Sequence, residues 1–228
     1  MTDNGLFGAA FCLAPQAGDT EAAYFLSGAE YTKFAWGPGG TREGGRAQGR
    51  GRTSALLPSL PHYWRCGLDS ICVFGRSEMY LFQYNKYLVY SAEDDEAAAP
   101  GRVSDITPFT RIDAAVTRVA THAPRSLAYL FSDDQVYAYD PARPGEGKAT
   151  SIAEVLPWLP RSFRRGIDCA VTTADGTVAY LFRGHYFAEF DPRCLGDLTR
   201  TADAGNVLPL SPATWPGLRN DPPQSETS

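Results

Sequence analysis

Three aspartates recur in one local context. Asp69 sits in Leu68-Asp69-Ser70-Ile71, Asp113 in Ile112-Asp113-Ala114-Ala115 and Asp168 in Ile167-Asp168-Cys169-Ala170. A fourth stretch, Phe7-Gly8-Ala9-Ala10, has glycine where the others have aspartate. Carboxylates gathered round one axis add a negative field that attracts a metal cation or a polyamine. Oxygen ligands suit hard ions such as calcium. The same carboxylates could instead accept hydrogen bonds from nearby backbone amides and only fasten one structural unit to the next.

Other reactive residues are sparse. The histidines are His62, His122 and His185, and they are not spaced as a designed pair. There is no Gly-x-Ser-x-Gly elbow, no His-Glu-x-x-His and no phosphate-binding Gly-x-x-x-x-Gly-Lys-Ser/Thr. Cys66 stands four positions after His62, a spacing that says little about a nucleophile and its base. The cysteines number 5 and include no Cys-x-x-Cys, which argues against a disulfide framework or a zinc site. Reduced thiols and a cytoplasmic protein are expected, because Met1-Thr2-Asp3-Asn4-Gly5 has no basic start and no long apolar run follows. No stretch approaches the ~20 apolar residues that span a bilayer. A net charge of −5 disfavours nucleic acid, which demands clustered Lys and Arg. The local exception is the Gly/Arg-rich segment 37–52, with four arginines against Glu43. It is expected to be a mobile, solvated loop. An RNA contact there would lack interleaved aromatics.

A repeat must position these residues. Anchored at Phe182, the steps +5, +8 and +9 give Phe187, Phe190 and Asp191. The same steps from Phe131 give Val136, Tyr139 and Asp140; from Phe82 they give Tyr87, Tyr90 and Ser91; from Leu26, Tyr31, Phe34 and Ala35. Each anchor follows an aromatic or apolar pair: Tyr24-Phe25, Tyr80-Leu81, Tyr129-Leu130 and Tyr180-Leu181. The anchors stand 56, 49 and 51 positions apart, a period typical of propeller blades. Gly28, Asn85, Asp133-Asp134 and Gly184 fall where hairpins must reverse. Small apolar strands lie upstream of every anchor, as strands crowded on a central axis require. Ser151 with Glu154 predicts a capped short helix. The acidic run Glu93-Asp94-Asp95-Glu96 reads as a solvated turn, since it lacks calcium-loop spacing.

The recurring Asp-Ala-Ala and Tyr-Leu-Phe-x-Gly-x-x-Tyr segments resemble the hemopexin repeat, over about residues 4 to 219. The layout is most similar to plant seed albumins of that fold, including the ending Thr214-Trp215-Pro216-Gly217-Leu218. The resemblance implies an all-β, four-bladed propeller with short helices between blades. It makes residues 1–219 one domain, with blades at about 5–60, 67–100, 111–160 and 166–218 and a disordered tail at 220–228. It also implies that backbone carbonyls of Gly8, Asp69, Asp113 and Asp168 face a central channel and ligate calcium or sodium. A second ring at Ala10, Ile71, Ala115 and Ala170 would hold chloride or another ion. Secreted members tie first blade to last with a disulfide, and Cys12 and Cys194 lie in those blades.

The resulting expectation is a non-catalytic binding protein. Its channel would hold a metal ion plus a polyamine or a haem-like molecule, with His62, His122 and His185 as haem candidates. A sugar-binding lectin of the same fold would use Tyr84, Trp36 or Trp64. A motif-less cyclase or isomerase and a protein-protein module are further alternatives. Dimers are common in such folds, so a homodimer is expected; no nucleic acid or membrane partner is.

Overall fold

The computed structural model describes residues 7–13, 21–75, 77–118, 127–195 and 206–218. The expected tail at 220–228 and His122 lie outside the described residues. Four antiparallel sheets make up the fold. The first runs in order β1 (Ala9–Leu13), β2 (Ala22–Ser27), β3 (Glu30–Ala35) and β4 (Arg46–Arg52). The second contains β5 (Ser70–Phe74), β6 (Glu78–Gln83) and β7 (Lys86–Ser91), with β8 (Glu96–Ala97) and β9 (Gly101–Arg102) both paired to β7. The third is β10 (Ala114–Arg118), β11 (Leu127–Ser132), β12 (Gln135–Tyr139) and β13 (Ala149–Ser151). The fourth is β14 (Cys169–Thr172), β15 (Ala179–Arg183), β16 (Tyr186–Phe190) and β17 (Val207–Pro209). The inner strands β1, β5, β10 and β14 each neighbour two others, so the sheets close into a four-bladed propeller.

The sequence period maps onto the ladders. The anchors Leu26, Phe82, Phe131 and Phe182 sit mid-blade. Each faces its +5 partner on one side: Tyr31, Tyr87, Val136 and Phe187. On the other side each faces a small inner-strand residue: Ala9, Ser70, Ala114 or Cys169. These small residues are buried, as crowding at the axis demands. Two-residue turns join second to third strands, and their first residues, Gly28, Tyr84, Asp133 and Gly184, take positive φ of 58°, 53°, 51° and 57°.

Short helices α1 (Thr53–Leu56), α2 (Val103–Ile106) and α3 (Ile152–Val155) lead from blade to blade. The Ser151 hydroxyl accepts from the Glu154 amide at 3.2 Å, the cap read from the sequence. Past them, one arginine staples each of two connections. Arg65 donates to the carbonyls of Leu60 and Pro58, both at 2.6 Å. Arg164 repeats this with Leu159 at 2.5 Å and Pro157.

Two local expectations change. Segment 37–52 is not a solvated loop throughout: a 3-10 turn, Pro38–Gly40, leads to β4, the outer strand of blade one. Glycine allows this because a Cβ at Gly45 would lie 2.7 Å from the Ala35 carbonyl and the Phe34 ring. The acidic run is also more than solvated. Asp95 accepts from the amide (3.1 Å) and hydroxyl (2.8 Å) of Ser59 and from the Tyr90 hydroxyl, tying blade two to the preceding connection.

Four apolar clusters fill the gaps between adjacent blades. The cluster that closes blade four onto blade one is aromatic. Trp215, 1% exposed, packs its indole within 4.9–5.9 Å of Phe25, Phe34, Trp36, Tyr180, Phe182 and Phe187. The segment carrying it is pinned by the Ala47 amide, which donates to the Pro216 carbonyl at 2.9 Å. Trp215→Ala should therefore cost about 3–5 kcal/mol in urea unfolding, with the slope against denaturant unchanged. A loss below ~1 kcal/mol would mean the seam closes without it.

Candidate functional site

The candidate site is the end of the ring at which the inner strands begin, the mouth. Gly8, Asp69, Asp113 and Asp168 occupy equivalent places there. Their amides donate to the carbonyls of Leu26, Phe82, Phe131 and Phe182 at 2.8–2.9 Å. The aspartate side chains reach forward to the hairpin turns of their own blades. Asp69 accepts from the amide of Tyr84, Asp113 from that of Asp133 at 2.8 Å and Asp168 from that of Gly184 at 2.7 Å. The carboxylates thus strut each turn within its blade rather than fastening blade to blade.

Blade one lacks the strut for a steric reason. A Cβ at position 8 would lie 2.5 Å from the Leu68 carbonyl oxygen of blade two, so only glycine fits. Its turn residue, Gly28, adopts positive φ without help.

Arginines occupy two of the carboxylates. Arg111 pairs with Asp113 at 3.1 Å and with Asp133 at 2.7 Å, and Arg183 pairs with Asp168. Among the described residues, Asp69 is the ring carboxylate without an ion pair. No group of three or more His, Cys, Asp or Glu side chains converges on a metal position among the described residues.

The second ring holds matching places in the ladders: Ala10 opposite Phe25, Ile71 opposite Leu81, Ala115 opposite Leu130 and Ala170 opposite Leu181. Ala10, Ile71 and Ala115 help line a cavity of about 30 Å³ at the far end of the channel. That is room for a water-sized occupant and far below the few hundred Å³ of an organic-ligand pocket. Thr117 and Thr172 also line it. Their hydroxyls accept across blades, from the Val73 amide at 3.3 Å and the Thr117 amide at 3.1 Å. These inter-blade clasps escaped the sequence reading, although threonine recurs four positions after Asp113 and Asp168.

The remaining candidates scatter. His62 opens a short 3-10 turn before blade two, and His185 sits in the blade-four hairpin. The Cys66 thiol contacts the His62 carbonyl, not its imidazole. Burial pushes the Cys12, Cys72 and Cys169 thiols well above the usual range, so none is a poised nucleophile. Cys12 is a free thiol, so no Cys12–Cys194 bridge forms.

Of the proposed sugar-contacting aromatics, Trp36 and Trp64 belong to the core at 8% and 3% exposure. Tyr84 is 64% exposed. Beside it stands Tyr63, 59% exposed, with ring centroids 6.5 Å apart. Sequence reasoning missed Tyr63; the signal was its neighbour Trp64, which turns inward and leaves Tyr63 outward on the same short turn.

Burial raises the carboxyl pKa of Asp69, with the Tyr84 amide opposing, and that of Asp113, with the Asp133 amide and Arg111 opposing. A raised native value means the folded chain holds more protons than the unfolded chain just above the ordinary value of 3.8. Their contribution therefore falls as pH rises through that window. Asn can still accept the turn amides. The stability difference between wild type and an Asp69→Asn, Asp113→Asn double variant should tilt against wild type as pH rises from 4 towards neutrality, a range set by ordinary carboxyl titration. Parallel curves from pH-dependent thermal melts would contradict burial as the controlling influence.

No protein-family model matches the chain, and no curated protein does. Solved structures do. A hemopexin-fold protein from cow pea has 22% identity and a TM-score of 0.76, covering 96% of this chain and 99% of that one. A plant albumin from Cicer arietinum showing hemagglutination has 23% identity and a TM-score of 0.75, covering 96% and 100%. A plant lectin with two metal binding sites, also from Cicer arietinum, has 24% identity and a TM-score of 0.76, covering 96% and 99%. Likeness of this extent, over whole chains and a shared ring of four blades, makes this chain a four-bladed propeller of the hemopexin fold found in plant seed albumins.

Proposed function

We propose that this chain is a non-catalytic binding protein that holds an ion in its channel and takes a carbohydrate on the mouth face, at Tyr63 and Tyr84. The observation that carries the reading is the backbone of Tyr84. At the equivalent turn position blades one and four use glycine and blade three uses aspartate. A bulky side chain at φ 53° is an outlier, and left-handed backbone costs roughly 1–2 kcal/mol for a residue with a Cβ. Strain kept at an exposed aromatic points to a task for that aromatic. The half-buried carboxylate of Asp69 holds the turn, and the ring projects beside Tyr63. Two exposed faces with polar edges suit the apolar face and hydroxyl rim of a sugar. The hemagglutinating albumin and the lectin of the same fold support a sugar ligand.

The small far-end cavity supports an ion or water in the channel and favours an organic ligand outside it. The lectin with two metal binding sites supports a metal. Calcium or sodium suits backbone oxygens, and the threonine hydroxyl protons at the far end suit a water or chloride. A polyamine would find Asp69 as the ring carboxylate without a direct ion pair; haem would call on His62, His122 or His185.

Glycan-array screening followed by titration calorimetry tests this. Tyr84→Ala should weaken sugar binding about tenfold or more. Tyr84→Gly should lose binding equally while leaving the melting temperature level or higher, because glycine relieves the strain. Sugar binding unchanged in both variants would contradict the site, and a shift with spermine or hemin alone would replace the sugar.

A further inference from the structure

The Gly/Arg-rich segment forms a second concavity, remote from the mouth in character. A cavity of about 460 Å³ lies on the outer seam between blades one and four. Arg42, Glu43, Gly44, Gly45 and Arg46 line one wall, and Ala213, Thr214 and Pro216 the other. Its volume falls within the range of small-molecule sites.

Arg42 is set rather than floating. Its side chain is only 12% exposed. Its Nη1 donates to the Thr214 carbonyl at 2.8 Å, and its guanidinium lies 5.1 Å from the centre of the Phe187 ring. Glu189, 43% exposed, forms a loose ion pair with it at 3.9 Å from Nε, beyond hydrogen-bond range. Nε is buried and makes no hydrogen bond. A guanidinium carries five N–H donors, so Arg42 has donors beyond the one given to Thr214. Arg46 is exposed at the start of β4 and brings a second guanidinium to the same wall. Against these two cations stand Glu43 in the lining and Glu189 beside Arg42, in a chain whose overall charge is −5.

The loop cannot easily be rebuilt. A Cβ at Gly37 would overlap the Glu43 carbonyl at 1.8 Å, one at Gly45 would meet the Ala35 carbonyl at 2.7 Å, and Gly44 sits at φ 76°. The wall is therefore a fixed backbone carrying two arginines rather than a charged tail. Arginine forks match planar and tetrahedral oxyanions in geometry as well as charge.

We propose that this seam cavity binds a small molecule bearing an oxyanion, a phosphate, sulfate or carboxylate group, between Arg42 and Arg46. Such a ligand would bridge blade one to the terminal segment of blade four, so binding would also stabilise ring closure. The exposed arginines could otherwise serve only to keep an edge strand from pairing with another chain, and the test separates the two.

Inorganic phosphate is titrated into the full chain at constant ionic strength, with melting temperature and calorimetric heat as readouts and chloride as control. Phosphate should raise the melting temperature where chloride does not. Arg46→Gln, which leaves the Arg42–Thr214 contact in place, should fold normally and weaken phosphate binding about tenfold. Sulfate and acetate in parallel rank the oxyanion classes. Equal responses to phosphate and chloride, or phosphate binding unchanged in Arg46→Gln, would overturn the proposal. Arg42→Lys, which keeps the charge but loses the fork, should bind more weakly than wild type; equal binding would also count against the site.

Discussion

A propeller is only as stable as the joint between its first and last blades. Three of the four blade interfaces join neighbours in sequence, but the fourth joins residues from opposite ends of the chain and closes a loop of nearly full length. Here no disulfide from Cys12 makes that joint. Packing makes it: the Trp215 indole enters a nest of six aromatic rings drawn from blades one and four. Backbone bonds and the Arg42–Thr214 contact fix the flanks. Closing entropy grows slowly with loop length, so a buried aromatic cluster is enough to hold a chain of this size shut.

Once the ring is closed, the inner strands crowd one axis, and this decides what the mouth can do. Small residues are favoured on the strands, and among the described residues they help line a far-end space of about 30 Å³. Gly8 is forced by the Leu68 carbonyl, which leaves three aspartates rather than four. Those three act first as struts for hairpin turns. Two are also neutralised by Arg111 and Arg183, so the mouth carries less free negative charge than three carboxylates suggest. The exposed features are left on the turns themselves, where Tyr84 holds an unfavourable backbone next to Tyr63.

The blade architecture was legible because each repeat writes its register into side-chain size. An anchor such as Phe131 faces Val136 on one side and Ala114 on the other, and both spacings are visible as text. The Asp ring was legible for the same reason. Less could be read where tertiary contacts override composition. Segment 37–52 looks like a flexible linker, yet its glycines are there for close approach to Ala35, Phe34 and Glu43, and β4 pairs with β3. Trp36 and Trp64 look like surface aromatics by position, but inter-blade packing takes both inside. The partners of each Asp side chain are equally invisible in sequence, since a carboxylate that binds an ion and one that accepts a turn amide are spelled alike.

We propose that the channel holds an ion and that an organic ligand binds outside it. Native mass spectrometry of protein purified without chelator, repeated after chelation and paired with a thermal melt, tests it most directly. The expected result is a tightly held hard ion such as calcium or sodium, lost on chelation or exhaustive desalting, with a lower melting temperature afterwards and sugar binding at the tyrosines retained. Protein that carries no ion and melts unchanged, or a sugar or polyamine whose binding vanishes when the channel is altered at Ala115, would contradict it.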